Sequence, residues 1–168
     1  MSTATLPVYN FHVTNCHTYA VGACGAVVHN SSEAAGDVTV ILDIPVNPTN
    51  PKCCNVQLTE GNDRFGWRHI QRKHICATRD PNEDSKANCF CIPKQDVLNI
   101  LQKLLNSPAV GKAIMAGQGR IDNLQLGQQK YRIDIDIDSC SVATFFPVGS
   151  LKKGACKCGE CKTSPNCP

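Results

Sequence analysis

Several features that would narrow the class of this chain at once are missing from it. No apolar run approaches the roughly 18 residues a membrane-spanning helix needs. The N-terminus does not open on a charged segment followed by an apolar one, so no signal peptide is expected. The turn Gly117-Gln118-Gly119-Arg120 lacks the spacing of a P-loop or a dinucleotide fingerprint and reads as a plain turn. No His-x-Glu accompanies a Pro-Cys-x-x-Cys, which sets aside a zinc-dependent nucleic-acid deaminase. A metal-dependent DNase would need a His-Asn-His-like ligand set, which the histidines here do not supply. Strong charge of one sign is also missing. Seventeen Lys and Arg against fourteen Asp and Glu leave a formal charge of +3, which permits a polyanionic partner without demanding one.

What is abundant is cysteine. Twelve thiols in 168 residues suggest disulfides in an oxidising space or metal thiolates in a reducing one. The last four, Cys156-x-Cys158-x2-Cys161-x5-Cys167, fall within twelve residues. That spacing could hold a structural zinc, which takes four thiolates in tetrahedral geometry. The alternatives are disulfides or a loose tail. Cys53 and Cys54 are adjacent and are expected to find partners elsewhere.

Chemistry concentrates at Phe65-Gly66-Trp67-Arg68-His69-Ile70-Gln71-Arg72-Lys73-His74. Residues three or four apart share a helix face. Trp67, Ile70 and His74 then form one side, while His69, Arg72 and Lys73 form another. One histidine is expected at the core or its rim and the other outside. Further on, Pro93 opens a helix whose Val97, Ile100, Leu101, Leu104 and Leu105 make a packing stripe, ending near Asn106-Ser107-Pro108. Tyr131 to Asp138 alternates strictly, with Tyr131, Ile133, Ile135 and Ile137 on one side and Arg132 with three aspartates on the other. A solvated strand face explains those carboxylates better than a cation site. Ser141 to Pro147 follows as a second strand on which Thr144 is the one polar group.

Near the N-terminus, His17-Thr18-Tyr19-Ala20-Val21-Gly22 and Val27-Val28-His29-Asn30 form a β-like pair of short runs. This pattern resembles the C-terminal end of a Hint (intein-like) domain, which precedes the toxin in bacterial polymorphic toxins and releases it at a terminal asparagine. The resemblance implies that Asn30 attacks its own carbonyl with His29, and an assisting His17, handling protons. Residues 1–30 are expected to be a remnant without cleavage activity, since the N-terminal nucleophile block is missing.

The segment Gly66-Trp67-x-His69-Ile70-x-x-Lys73-His74, closed by Thr144-Phe145-Phe146-Pro147, resembles the toxin ribonucleases grouped with barnase, EndoU, colicin-type tRNases and RelE. The resemblance implies an α+β fold, with N-terminal helices packed on a small antiparallel sheet. The divisions expected are 1–30 Hint remnant, 31–64 linker or leader, in which Val38 to Ile44 suits a buried strand or an extended run, 65–150 toxin domain and 151–168 cysteine-rich tail. It also implies metal-independent RNA cleavage with no catalytic cofactor. His69, His74, Lys73, Thr144 and Arg132 are the catalytic candidates; Arg72, Arg68 and Arg120 would bind substrate. RNA and a cognate immunity protein would be the partners, the protein being secreted by its producer to act in a target cell's cytoplasm. The competing reading is a cysteine-rich binding module, held by zinc or disulfides, with no catalysis.

Overall fold

The computed structural model describes residues 18–21, 26–29, 39–45, 55–80 and 88–167. The chain divides into two compact units, Met1–Ala35 and Gly36–Pro168. In the first, β1 (Thr18–Val21) pairs antiparallel with β2 (Ala26–His29), Thr18 standing opposite His29. His17 and Asn30 lie outside the described residues.

The second unit is α+β. It runs β3 (Val40–Pro45), β4 (Asn55–Thr59), α1 (Gly66–His74), β5 (Asn88–Phe90), α2 (Lys94–Leu105), α3 (Pro108–Met115), β6 (Arg120–Leu126), β7 (Gln129–Asp136), β8 (Ser141–Val148) and β9 (Ala155–Lys157). A 3-10 turn over Cys158–Glu160 follows. Five strands form one sheet in the order β3-β4-β8-β7-β6, while β5 and β9 pair separately. The expected all-antiparallel sheet is corrected here: β4 runs parallel to β8, Gln57 opposite Ser141. Parallel neighbours need a long crossover, and α1, β5, α2, α3, β6 and β7 all intervene.

The segment expected to be a linker supplies β3 and β4. Val56 and Leu58 are fully buried at alternate positions of β4, whereas β3 lies at the sheet edge and buries only Ile44. An edge strand lacks a neighbour on one side, so the apolar run Val40-Ile41-Leu42 stays partly exposed. A third helix, α3, was not expected. Helix α2 ends at Leu105 as expected, and Pro108 then occupies the first turn of α3, where its missing N–H costs nothing.

Strict alternation on β7 and β8 divides the sheet's two faces. Tyr131, Ile133 and Phe145 point into the core with Leu58, Leu101, Leu105 and Ile114. Arg132 stands opposite Phe146, and Asp134 opposite Thr144, on the other face. That second face carries the candidate chemistry.

Candidate functional site

Gly66 fixes where α1 begins. Its φ is +77°, and a Cβ there would lie 2.8 Å from the Thr59 carbonyl oxygen, so only glycine fits without strain. Arg68 N donates to the Glu60 carbonyl at 2.9 Å, tying the first turn to the end of β4. Trp67, Ile70 and His74 are buried on one side of the helix, and burial of the first two contributes about 2 kcal/mol each. The other end is held by β5: Ile75 bridges Phe90, and Cys76 N donates to the Phe90 carbonyl at 2.8 Å. Arg72, Lys73 and His74 occupy the last turn, where the helix dipole favours cations.

His74 is 6% exposed. Its Nδ1 lies 3.0 Å from the Asn88 carbonyl oxygen. A carbonyl only accepts, so Nδ1 carries the proton and Nε2 holds the lone pair. The ring stacks on Phe146, centroids 4.5 Å apart and planes 15° apart. Asn88 in turn donates from Nδ2 to the Pro147 carbonyl at 2.9 Å, locking the histidine's partner to β8. Burial, helped by the charges of His69, Lys73 and Arg132, lowers the His74 pKa from 6.5 to about 4; the Asn88 bond opposes part of this. The imidazole is therefore neutral at physiological pH.

His69 is half-buried. Its Nδ1 lies 2.9 Å from the Asp63 carbonyl oxygen, which by the same reasoning puts a proton on Nδ1. The two rings come within 5.9 Å in an edge-on arrangement. Five residues of separation along a helix would turn them apart. The half-exposed position of one and the buried position of the other reflect that turn, yet both reach the same patch.

Arg132 is held by Asp134 through bonds of 2.8 and 2.7 Å, with Asp122 at 3.8 Å, and its guanidinium lies 5.5 Å from the Phe146 ring centre. Thr144, two residues before Phe146 and opposite Asp134, has a buried Oγ1 with no hydrogen-bond partner. His69, His74, Lys73 and Arg132 thus meet electrostatically over the face that carries Thr144 and Phe146.

The three arginines expected to bind substrate are placed differently. Arg68 is bonded to Glu60 at 3.0 and 2.8 Å. Arg72 is clamped between Asp63 at 2.6 Å and Asp80 at 3.2 Å. Arg120 pairs with Asp122 at 2.9 Å, standing opposite Asp134 at the margin of the Arg132 network. Each is already engaged by a carboxylate that an anionic ligand would have to displace. The Gly117–Gly119 turn is packed against β7: Ile135 N donates to the Gly119 carbonyl at 2.7 Å, and a Cβ on Gly119 would lie 2.3 Å from the Ile135 oxygen.

The four-thiol tail is not a self-contained chelate in this structure. Cys161 is bonded to Cys76, Cys158 to Cys89 and Cys167 to Cys91. Cys156 is the one free thiol among the described residues and is buried. Pairing of β9 with β5, which sets Cys156 opposite Cys89, brings the tail onto the segment that follows α1. Cys140 is also disulfide-bonded.

Asn88 and Phe146 were not singled out from the sequence. Phe146 carried a usable signal, since period-two alternation puts it on the Thr144 face. Asn88 carried none, because its role depends on where the main chain of β5 lies. No protein-family model, curated protein or solved structure matches this chain.

Proposed function

We propose that this chain is a toxin effector of the bacterial polymorphic type. In this reading the patch between α1 and β8 cleaves RNA without a metal ion. His74 acts as the general base: Nε2 accepts the proton of a ribose 2′-hydroxyl, and the oxygen attacks the adjacent phosphorus. His69, at the more open position and carrying a proton on each ring nitrogen, gives the Nε2 proton to the departing 5′-oxygen. The products are a 2′,3′-cyclic phosphate and a 5′-hydroxyl. Lys73 supplies positive charge for the phosphate as it gains negative charge, Arg132 joins it when the phosphate displaces the Asp134 carboxylate, and the Thr144 hydroxyl supplies a hydrogen bond.

The observation that carries the reading is the state of His74: neutral, with its proton directed to the Asn88 carbonyl and its lone pair left on Nε2. A base depressed to about 4, by burial first and by surrounding positive charge second, is weak in the free protein. A phosphate bound among those cations offsets their repulsion, so the base strengthens when substrate is present. A producer of such a protein needs an inhibitor, and the net charge of +3 favours fast association with an acidic immunity protein. Disulfides fit passage through an oxidising space on the way to a target cell. Among the described residues no helix is long and apolar enough to cross a membrane. The expected Hint remnant, with His17, His29 and Asn30, belongs to the same reading.

The test is cleavage of total tRNA and rRNA in EDTA by wild type, His69→Ala and His74→Ala. Loss of roughly 10²–10⁴-fold in either variant, with cyclic-phosphate ends from wild type, supports the assignment. If wild type cuts nothing with or without metal, or both variants cut normally, the histidines are structural. The cysteine-rich binding module, favoured by the cross-linked tail, then takes its place.

A further inference from the structure

The free thiol of Cys156 is surrounded by sulfur. Its Sγ lies 3.1 Å from that of Cys76 and 3.7 Å from that of Cys161. The sulfurs of Cys76, Cys156 and Cys161 all fall within 4.8 Å of one another, as do those of Cys91, Cys156 and Cys167. Four thiolates around a tetrahedral zinc, each about 2.3 Å from the ion, are about 3.8 Å from one another. Cys156 therefore stands at the shared corner of two sulfur triads already near chelating distance. Being buried, it cannot pair with another molecule without the tail opening.

We propose that these five cysteines form a zinc site that fills when the two disulfides around Cys156 are reduced. Its ligands are Cys76, Cys156 and Cys161, with a fourth thiolate from Cys91 or Cys167. This inference does not rest on the ribonuclease reading. The three bridges differ in access. Cys76, Cys161, Cys91 and Cys167 are only partly buried, whereas Cys89 and Cys158 are buried to 0% and 3% exposure. Thiol–disulfide exchange needs contact between an attacking thiolate and a sulfur. A cytosolic dithiol therefore opens the Cys76–Cys161 and Cys91–Cys167 bonds and leaves Cys89–Cys158. Each opening breaks one S–S bond and makes two thiols, and the dithiol is oxidised to its own disulfide. With Cys156, five thiols result. Binding of one Zn²⁺ by four of them releases four protons to solvent.

The β5–β9 pairing holds the ligands in place during the change, while the Cys89–Cys158 bridge stays closed. The ligands come from the residues after α1 (Cys76), β9 (Cys156) and the 3-10 turn and its end (Cys161), so the ion would fasten the same segments that the disulfides fasten. Cys76 is two residues beyond His74, and metal there keeps the end of α1 anchored in a reducing compartment. This set differs from a chelate made by the tail alone, which would use Cys158 and not Cys76.

The experiment prepares the full chain oxidised and after treatment with a membrane-impermeant dithiol, then measures zinc per chain by atomic emission and thiolate ligation by the charge-transfer absorption of the cobalt-substituted protein. The expected result is one zinc per chain in the reduced form and none in the oxidised form. Cys156→Ser, checked by circular dichroism to fold like wild type when oxidised, loses the metal on reduction. Cys76→Ser loses it too. The double variant Cys89→Ser/Cys158→Ser keeps it, which separates loss of a ligand from loss of a bridge. Three findings overturn the proposal: no zinc in the reduced wild type, undiminished zinc in Cys156→Ser, or loss in the Cys89/Cys158 variant with retention in Cys76→Ser. The last would assign the ion to the tail.

Discussion

At the scale of single residues, His74 and Thr144 each carry a measurable consequence of being buried. An unfolded chain protonates residue 74 below pH 6.5, while the folded protein does so only below about 4. Between those values the unfolded state binds more protons, so stability falls as pH drops from 6.5 to 4 and this contribution changes no further below that. The whole effect is about 3 kcal/mol. Urea midpoints of wild type and His74→Phe, compared at pH 7 and pH 4, test it. The wild type should lose stability that the variant, having nothing to protonate there, retains; equal losses in both would show that other groups carry the dependence. Thr144 gives the opposite kind of signature. Its buried hydroxyl has no partner, and an unsatisfied polar group in a buried position costs free energy. Thr144→Val keeps the shape and removes that cost, so thermal stability should stay level or rise by up to about 1 kcal/mol. RNA cleavage should fall by roughly a hundredfold. A variant that is both more stable and fully active would remove Thr144 from the site.

At the scale of elements, legibility followed the strength of the local pattern. The amphipathic stripe of α2 and the alternation of β7 and β8 were plain because each buries one face against a single core. The nine-residue helix Gly66–His74 was legible with Trp67, Ile70 and His74 on one side, but spacing left open which of the two histidines lies inward. The run from Val38 to Ile44 already suited a strand and became β3, but β4 read as linker because the proline-rich stretch before it looks like a boundary, and its parallel pairing with β8 depends on contacts more than eighty residues apart. Asn88 and the cysteine partners were hidden for the same reason. What the spacing of the two histidines did not disclose was that a short helix on a twisted sheet brings both rings to one patch. Gly66 is the hinge of that placement. With φ of +77° and the Thr59 oxygen where a Cβ would go, Gly66→Ala must move either the helix start or the end of β4. A cost of about 1–3 kcal/mol follows, read as a lowered unfolding midpoint. Cleavage measured well below that midpoint should fall as well, because α1 carries both histidines; normal cleavage by the folded variant would mean the helix start is not what positions them.

At the scale of the whole molecule, the division into a catalytic domain and an appended tail does not describe what holds the second unit together. The tail supplies β9, which is the ladder partner of β5, and β5 in turn holds the end of α1 and offers the Asn88 carbonyl to His74. Three disulfides span 85, 69 and 76 residues between the same two regions. A single bridge closing a loop of that size restrains the unfolded chain by about 4 kcal/mol. The three are not additive, because once one has joined the regions the others close only short additional loops. A chain ending at Ser150 loses all three and the β5–β9 pairing together. It should therefore unfold at far lower urea than the full chain under oxidising conditions, with His74 no longer protected from protonation near pH 6. Removing only Cys167, by Cys167→Ser, should cost much less, since two bridges still join the regions. If the shortened chain instead unfolds at the full-length midpoint, the sheet and helices form a core that stands without the tail, and the tail's cysteines serve some role other than holding α1 in place.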